Sequence, residues 1–182
     1  MNISKQEAQE SLAEIENVIL QTRKEIARSG ASYSLILWGV IWVLGFSGSQ
    51  FFPHISGWLW LALVFIGFVV MWILTKKSAF LHPTSRRVHL GWLILVAYMM
   101  FWNILLHADE REGLAFCSTV CMCGYVICGL WLGRFLVWLG LIVTALTVVG
   151  FFLLPVWFPL WMAITGGGSL ILSGLFILEF WR

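Results

Sequence analysis

Leu114–Leu154 reads LAFCSTVCMCGYVICGLWLGRFLVWLGLIVTALTVVGFFLL and carries a single charge, Arg134, near its middle. As one continuous helix this stretch would be about 60 Å long at 1.5 Å per residue, twice the roughly 30 Å of a bilayer's hydrocarbon core. Gly133-Arg134 divides it into two runs, Leu114–Leu132 and Phe135–Leu154, each of a length to cross once. Two spans back to back through a tight turn is the reading that fits both length and composition.

The same unit recurs on either side. Tyr33–Phe52, Ser56–Thr75, Val88–Leu106 and Leu160–Phe180 are apolar runs of similar length, and Glu179 is the one Lys, Arg, Asp or Glu in any of the six. The whole chain of 182 residues is 60% hydrophobic and 11% charged. A water-soluble domain averages about 45–50% apolar and about 25% charged, so a soluble globule is excluded. The net charge of +2 and the lack of a long basic run exclude disorder and nucleic-acid binding. The sequence therefore predicts an all-α, polytopic membrane protein. Residues 31–182 form a six-transmembrane-helix bundle (33–52, 56–75, 88–106, 114–132, 135–154, 160–180), preceded by an N-terminal cytoplasmic amphipathic helix over 1–30.

Positive charge sets the expected orientation. With the N-terminus inside, the inner segments hold Lys5, Arg23, Lys24, Arg28, Lys76, Lys77, Arg86, Arg87, Arg134 and Arg182, and the outer segments hold only Arg111. The positive-inside rule places both termini in the cytoplasm. In a prokaryote the destination is the plasma (inner) membrane. Lys76, Lys77, Arg86 and Arg87 form a basic inner loop suited to anionic lipid.

Residues 1–30 hold five Glu and four basic residues with no apolar core, unlike a secretory leader. Ser4 and Glu7 form a capping box, and Ala8, Leu12, Ile15, Ile19, Thr22 and Ile26 recur at heptad spacing up to a stop at Ser29-Gly30. Acids gather early and bases late, in keeping with the helix dipole. A membrane-flat helix favours Lys, Arg, Trp and Phe on its faces, and this one has no aromatic residue. Leu12, Ile15, Ile19 and Ile26 are the expected docking residues, for self-association or for a protein partner, through residues 4–29.

Candidate sites inside the membrane are few. No ionisable residue lies at mid-depth, which weighs against a proton- or sodium-coupled transporter using carboxylate relays and against a voltage sensor. Thr165-Gly166-Gly167-Gly168-Ser169, followed by Ser173, reads either as a close-packing face or as a broken helix that binds a solute. Trp38 and Trp42 share a helix face at i, i+4 and could line an aromatic cavity. Cys117, Cys121 and Cys128 form a stripe at i, i+4, i+11, read as small packing residues or as a soft-metal path. His107, Asp109, Glu110, Arg111 and Glu112 make a polar turn with weak metal or acid–base potential in His107 and Asp109. No HExxH, GxSxG or phosphate-loop pattern occurs, and no cofactor is expected.

From these residues the expected function is a non-enzymatic, oligomeric or partner-coupled interaction or sensory subunit working through the N-terminal helix. The first alternative is a channel or transporter for a neutral or hydrophobic solute; the second is a membrane-embedded enzyme or soft-metal handler.

Overall fold

A computed structural model describes Glu14 and residues 32–77, 83–106 and 109–180. Leu12, Ile15, Ile19 and Ile26 of the expected docking stripe lie outside the described residues, and so does His107. All regular structure among the described residues is helical.

Helix α1 spans Ser32–Phe51, and a 3-10 turn at Pro53–Ile55 leads into α2, Ser56–Lys77. Pro at the start of that turn lacks an N–H, which ends α1 and presets the φ of the next turn. Helix α3 runs Pro83–Leu106 and α4 runs Glu110–Leu132. Asp109 stands at the N-cap of α4, with Glu110 and Glu112 in its first turn, where negative charge meets the positive end of the helix dipole. Helix α4 thus starts four residues ahead of the apolar run.

Gly133 separates α4 from α5, Arg134–Leu153. Its φ of 150° is open to glycine and strained for any L side chain, so the chain reverses within one residue. Pro155 then breaks the helical ladder. The last span comprises α6 (Phe158–Met162), a π turn (Ala163–Gly167) and α7 (Gly168–Phe180). The Gly triplet therefore neither unwinds the helix nor leaves it regular: it widens a single turn.

Five helical segments are long and apolar enough to cross a membrane: Ser32–Phe51, Pro53–Leu74, Glu110–Trp131, Arg134–Leu153 and Phe158–Glu179. In α3 the apolar part is Leu90–Leu106, about 25 Å at 1.5 Å per residue.

The distribution of polarity is inverted relative to a water-soluble fold. Trp58, Phe65, Ile104, Leu130, Trp131 and Phe152 are exposed, while Ser32, Ser49, Ser118 and Thr147 are buried. Hydrocarbon solvates the first group without penalty and penalises an unpaired hydroxyl. Ser118 donates to the Leu114 carbonyl at 2.7 Å, Thr144 to Gly140 at 2.7 Å, Thr147 to Val143 at 2.8 Å and Thr165 to Trp161 at 2.7 Å, all one turn back on their own helices.

The final span lies at the centre. Helix α1 packs along α6, the π turn and α7, and also carries α2; α5 packs on the final span and pairs closely with α4, which carries α3. Phe158, Met162, Ala163 and Leu170 of the final span are buried with Leu35, Trp42 and Phe46 of α1 and with Met122, Leu136, Leu139 and Val143 of the α4–α5 pair. Apolar burial gives no net transfer gain between helices already in lipid, so the contacts depend on close approach and dispersion. A Cβ on Gly167 would stand 3.0 Å from the Gly39 carbonyl oxygen, and one on Gly39 2.9 Å from the Gly167 oxygen. The two helices meet backbone to backbone. In the α4–α5 pair, a Cβ on Gly140 would stand 2.7 Å from the Met122 carbonyl oxygen.

Candidate functional site

At the end of the bundle where α1 finishes and α4 and α6 begin, the chain forms a pocket of about 270 Å³. Ser49 and Gln50 from α1 and Glu110 and Arg111 from α4 supply its polar wall. Pro53, at the turn after α1, and Pro155 and Pro159, at the junction of α5 and α6, lie around it, and their fixed φ values make that part of the wall stiff.

Each polar group has a distinct local setting. The Trp60 indole donates to Ser49 Oγ at 3.0 Å, which uses the oxygen as acceptor and leaves the hydroxyl proton to be donated. Gly45 makes that contact possible, because a Cβ there would meet the Trp60 ring at 2.7 Å. Gln50 Oε1 is buried and has no hydrogen-bond partner. A buried acceptor left without a donor costs about 1–3 kcal/mol. The Arg111 guanidinium lies 4.6 Å from the centroid of the Phe151 ring. That cation–π contact holds the head in place without neutralising it. Glu110 is exposed at the first turn of α4, where no side chain caps the free N–H groups.

The fold thus brings two of the five residues of the polar turn, Glu110 and Arg111, to the end of the first span, and leaves Asp109 exposed beside it. Sequence inspection missed Gln50. The available signal was an amide, with donor and acceptor capacity to satisfy, at the end of an otherwise apolar run.

The other candidate residues have defined places. Trp42 is buried against Gly166, whose Cβ would stand 3.0 Å from its ring, and packs edge-on against Phe46 with centroids 5.5 Å apart. Trp38 packs edge-on against Phe68 at 5.3 Å. Gly166 and Gly167 are buried on the α1 side of the final span, and a Cβ on Gly168 would meet nothing within 4 Å. Ser173 is buried and Ser169 half-buried. Cys117 and Cys128 lie in the seam between α3 and α4: Asn103 donates to Cys117 Sγ at 3.2 Å, and the Trp92 side chain lies beside Cys128. Trp92 also packs on Tyr125 with centroids 5.0 Å apart. Among the described residues, no three His, Cys, Asp or Glu side chains converge to hold an ion.

Comparison with known protein families finds no match, and comparisons with curated proteins and with solved structures find no similar chain.

Proposed function

We propose that this chain is a six-span, non-enzymatic membrane subunit that signals or assembles through its N-terminal helix. In this reading α3 crosses the bilayer with the other five spans, both termini are cytoplasmic, and the membrane is a bacterial plasma membrane. Lys76, Lys77, Arg86 and Arg87, either side of the connection from α2 to α3, supply the positive charge for contact with anionic headgroups.

The observation that carries the reading is the position of α1. It is the first element after the N-terminal segment, and it packs against α2, α6, the π turn and α7. Ser32 and Leu35, at its start, are buried. A force or partner acting on residues 4–29 is therefore delivered to the helix with the widest set of neighbours, two residues from the docking segment. Docking through Leu12, Ile15, Ile19 and Ile26 would act on the helix that carries the Gly39–Gly167 crossing.

The test is native mass spectrometry of the full chain ejected from nanodiscs, alone and after purification from its host. The reading expects a defined multimer or a stoichiometric protein partner, lost in Ile15→Glu with Ile19→Glu. A bare monomer in both forms would refute it.

A second reading, passage of a neutral solute along the final span, is favoured by the π turn, since such turns recur at functional positions in helices. Solute flux abolished by Gly167→Leu and spared by the Ile15→Glu, Ile19→Glu pair would favour it over the first.

A further inference from the structure

Helix α3 is covered on one side and bare on the other. Trp92 packs on Tyr125, Asn103 donates to Cys117 Sγ, and Val96 and Met99 are buried on the same side, so that face belongs to α4. Among the described helices α4 is the one substantial neighbour of α3. On the opposite face Gly91, Ile94, Tyr98 and Phe101 follow one another at spacings of three, four and three. A Cβ on Gly91 would meet nothing within 4 Å, and Ile94, Tyr98 and Phe101 are 64%, 63% and 56% exposed.

Lipid chains suit Ile94 and Phe101 but not Tyr98. Tyr98 stands at the middle of the apolar stretch Leu90–Leu106, eight residues from either end, or about 12 Å of helix. Its ring meets Trp102 edge-on at 6.4 Å, and its hydroxyl has no hydrogen bond to a described residue. A hydroxyl in hydrocarbon is penalised until something pairs with it. We propose that α3 is the membrane contact between two copies of this chain, related by a two-fold axis along the membrane normal, with the two Tyr98 hydroxyls hydrogen-bonded to each other.

A second copy is the occupant these residues select. About such an axis every residue meets its own depth in the other subunit, and a hydroxyl both donates and accepts, so Tyr98 is complementary to the partner's Tyr98. A different protein would have to bring a polar side chain of its own to that depth. The three–four–three spacing is that of a left-handed helix pair, and the open Gly91 lets the two backbones approach. An apolar stretch of about 25 Å is shorter than the roughly 30 Å core, a mismatch that association relieves.

The inference rests on the six-span, self-associating reading and supplies its contact within the bilayer. The test introduces single cysteines at Leu93, Ile94, Tyr98, Phe101 and Ile104 of the full chain, each with Cys123→Ser to remove the exposed native thiol. Bacterial membranes holding each variant are oxidised with copper phenanthroline. Disulfide-linked dimer is expected at Ile94, Tyr98 and Phe101, with loss of the product at Leu93 and Ile104, which are exposed on the flank of the same helix. Tyr98→Phe keeps the ring and removes the hydroxyl. It should raise the dissociation constant about threefold, read by energy transfer between labelled copies as lipid is added. Cross-linking as strong at Ile104 as at Phe101 is random collision and overturns the inference, and so does a wild-type dissociation constant in Tyr98→Phe. A Tyr98→Cys thiol shielded from a membrane-impermeant maleimide yet not cross-linked overturns the inference alone. One that the maleimide labels overturns the six-span reading with it.

Discussion

Gly167 and Gly168 are adjacent in the chain and opposite in surroundings, which turns one pair of substitutions into a test of the bundle's central contact. A Cβ at Gly167 would stand 2.7 Å from Val43 Cγ2 and 3.0 Å from both the Gly39 oxygen and the Val43 nitrogen. Ordinary contact begins near 3.4 Å, so the backbones must part by about 0.4 Å. The valine cannot relieve this by rotation, because a β-branched side chain in a helix has one strongly preferred rotamer. Overpacking of this kind costs about 1–3 kcal/mol, and Gly167→Ala is expected near the upper end because two of the three obstacles are backbone. At Gly168 a Cβ meets nothing within 4 Å, and φ −60° with ψ −43° is ordinary right-handed helix. There Ala should stabilise by about 0.5–1 kcal/mol through reduced backbone entropy. The two variants should therefore differ by about 3–4 kcal/mol, or more than about a hundredfold in unfolding equilibrium. Reversible unfolding in mixed micelles, followed by tryptophan fluorescence, measures the difference. Equal effects, or a more damaging Gly168→Ala, would refute the close crossing of α1 with the final span.

Three further outcomes follow from named contacts. Gly39→Ala strikes the same crossing, since its Cβ would stand 2.9 Å from the Gly167 oxygen; combined with Gly167→Ala it should cost about 1 kcal/mol less than the sum, read by a double-mutant cycle. Gly133→Ala should destabilise the α4–α5 turn by about 1–3 kcal/mol through backbone strain at φ 150° alone, visible as a lower melting temperature with no loss of helix content. Trp161→Phe removes the bond from its indole to the Leu146 carbonyl, 2.9 Å long, and should cost about 0.5–1.5 kcal/mol in the same unfolding assay.

Much of the helical framework was legible from hydrophobicity and punctuation. The break at Gly133 could be placed because a 60 Å helix does not fit a 30 Å core, and only glycine takes φ 150° there without strain. What hydrophobicity could not reveal is which faces meet, because a span apolar all round has no face marked for the core. Glycine supplied the missing mark at Gly39 and Gly167. The π turn was hidden for a different reason: three consecutive glycines are equally compatible with a kink, a break or one wide turn. The pocket was the least legible feature. Gln50 and Arg111 lie 61 residues apart, and nothing in local spacing pairs the end of one apolar run with the start of another. The cysteine stripe was visible as a stripe, but its partners Asn103 and Trp92 emerged only from the pairing of α3 with α4.

The claim on which the proposed function rests is the parity of crossings, and α3, with its 25 Å apolar stretch, decides it. Reporter fusions of alkaline phosphatase and of a cytoplasm-dependent fluorescent protein, placed after Lys77, Glu112, Arg134 and Arg182 and before Met1 in a bacterial host, measure it directly. Six crossings predict fluorescence at both termini, at Lys77 and at Arg134, with phosphatase activity only at Glu112. Phosphatase activity at one terminus and fluorescence at the other would mean an odd number of crossings, and would contradict the architecture proposed for this protein.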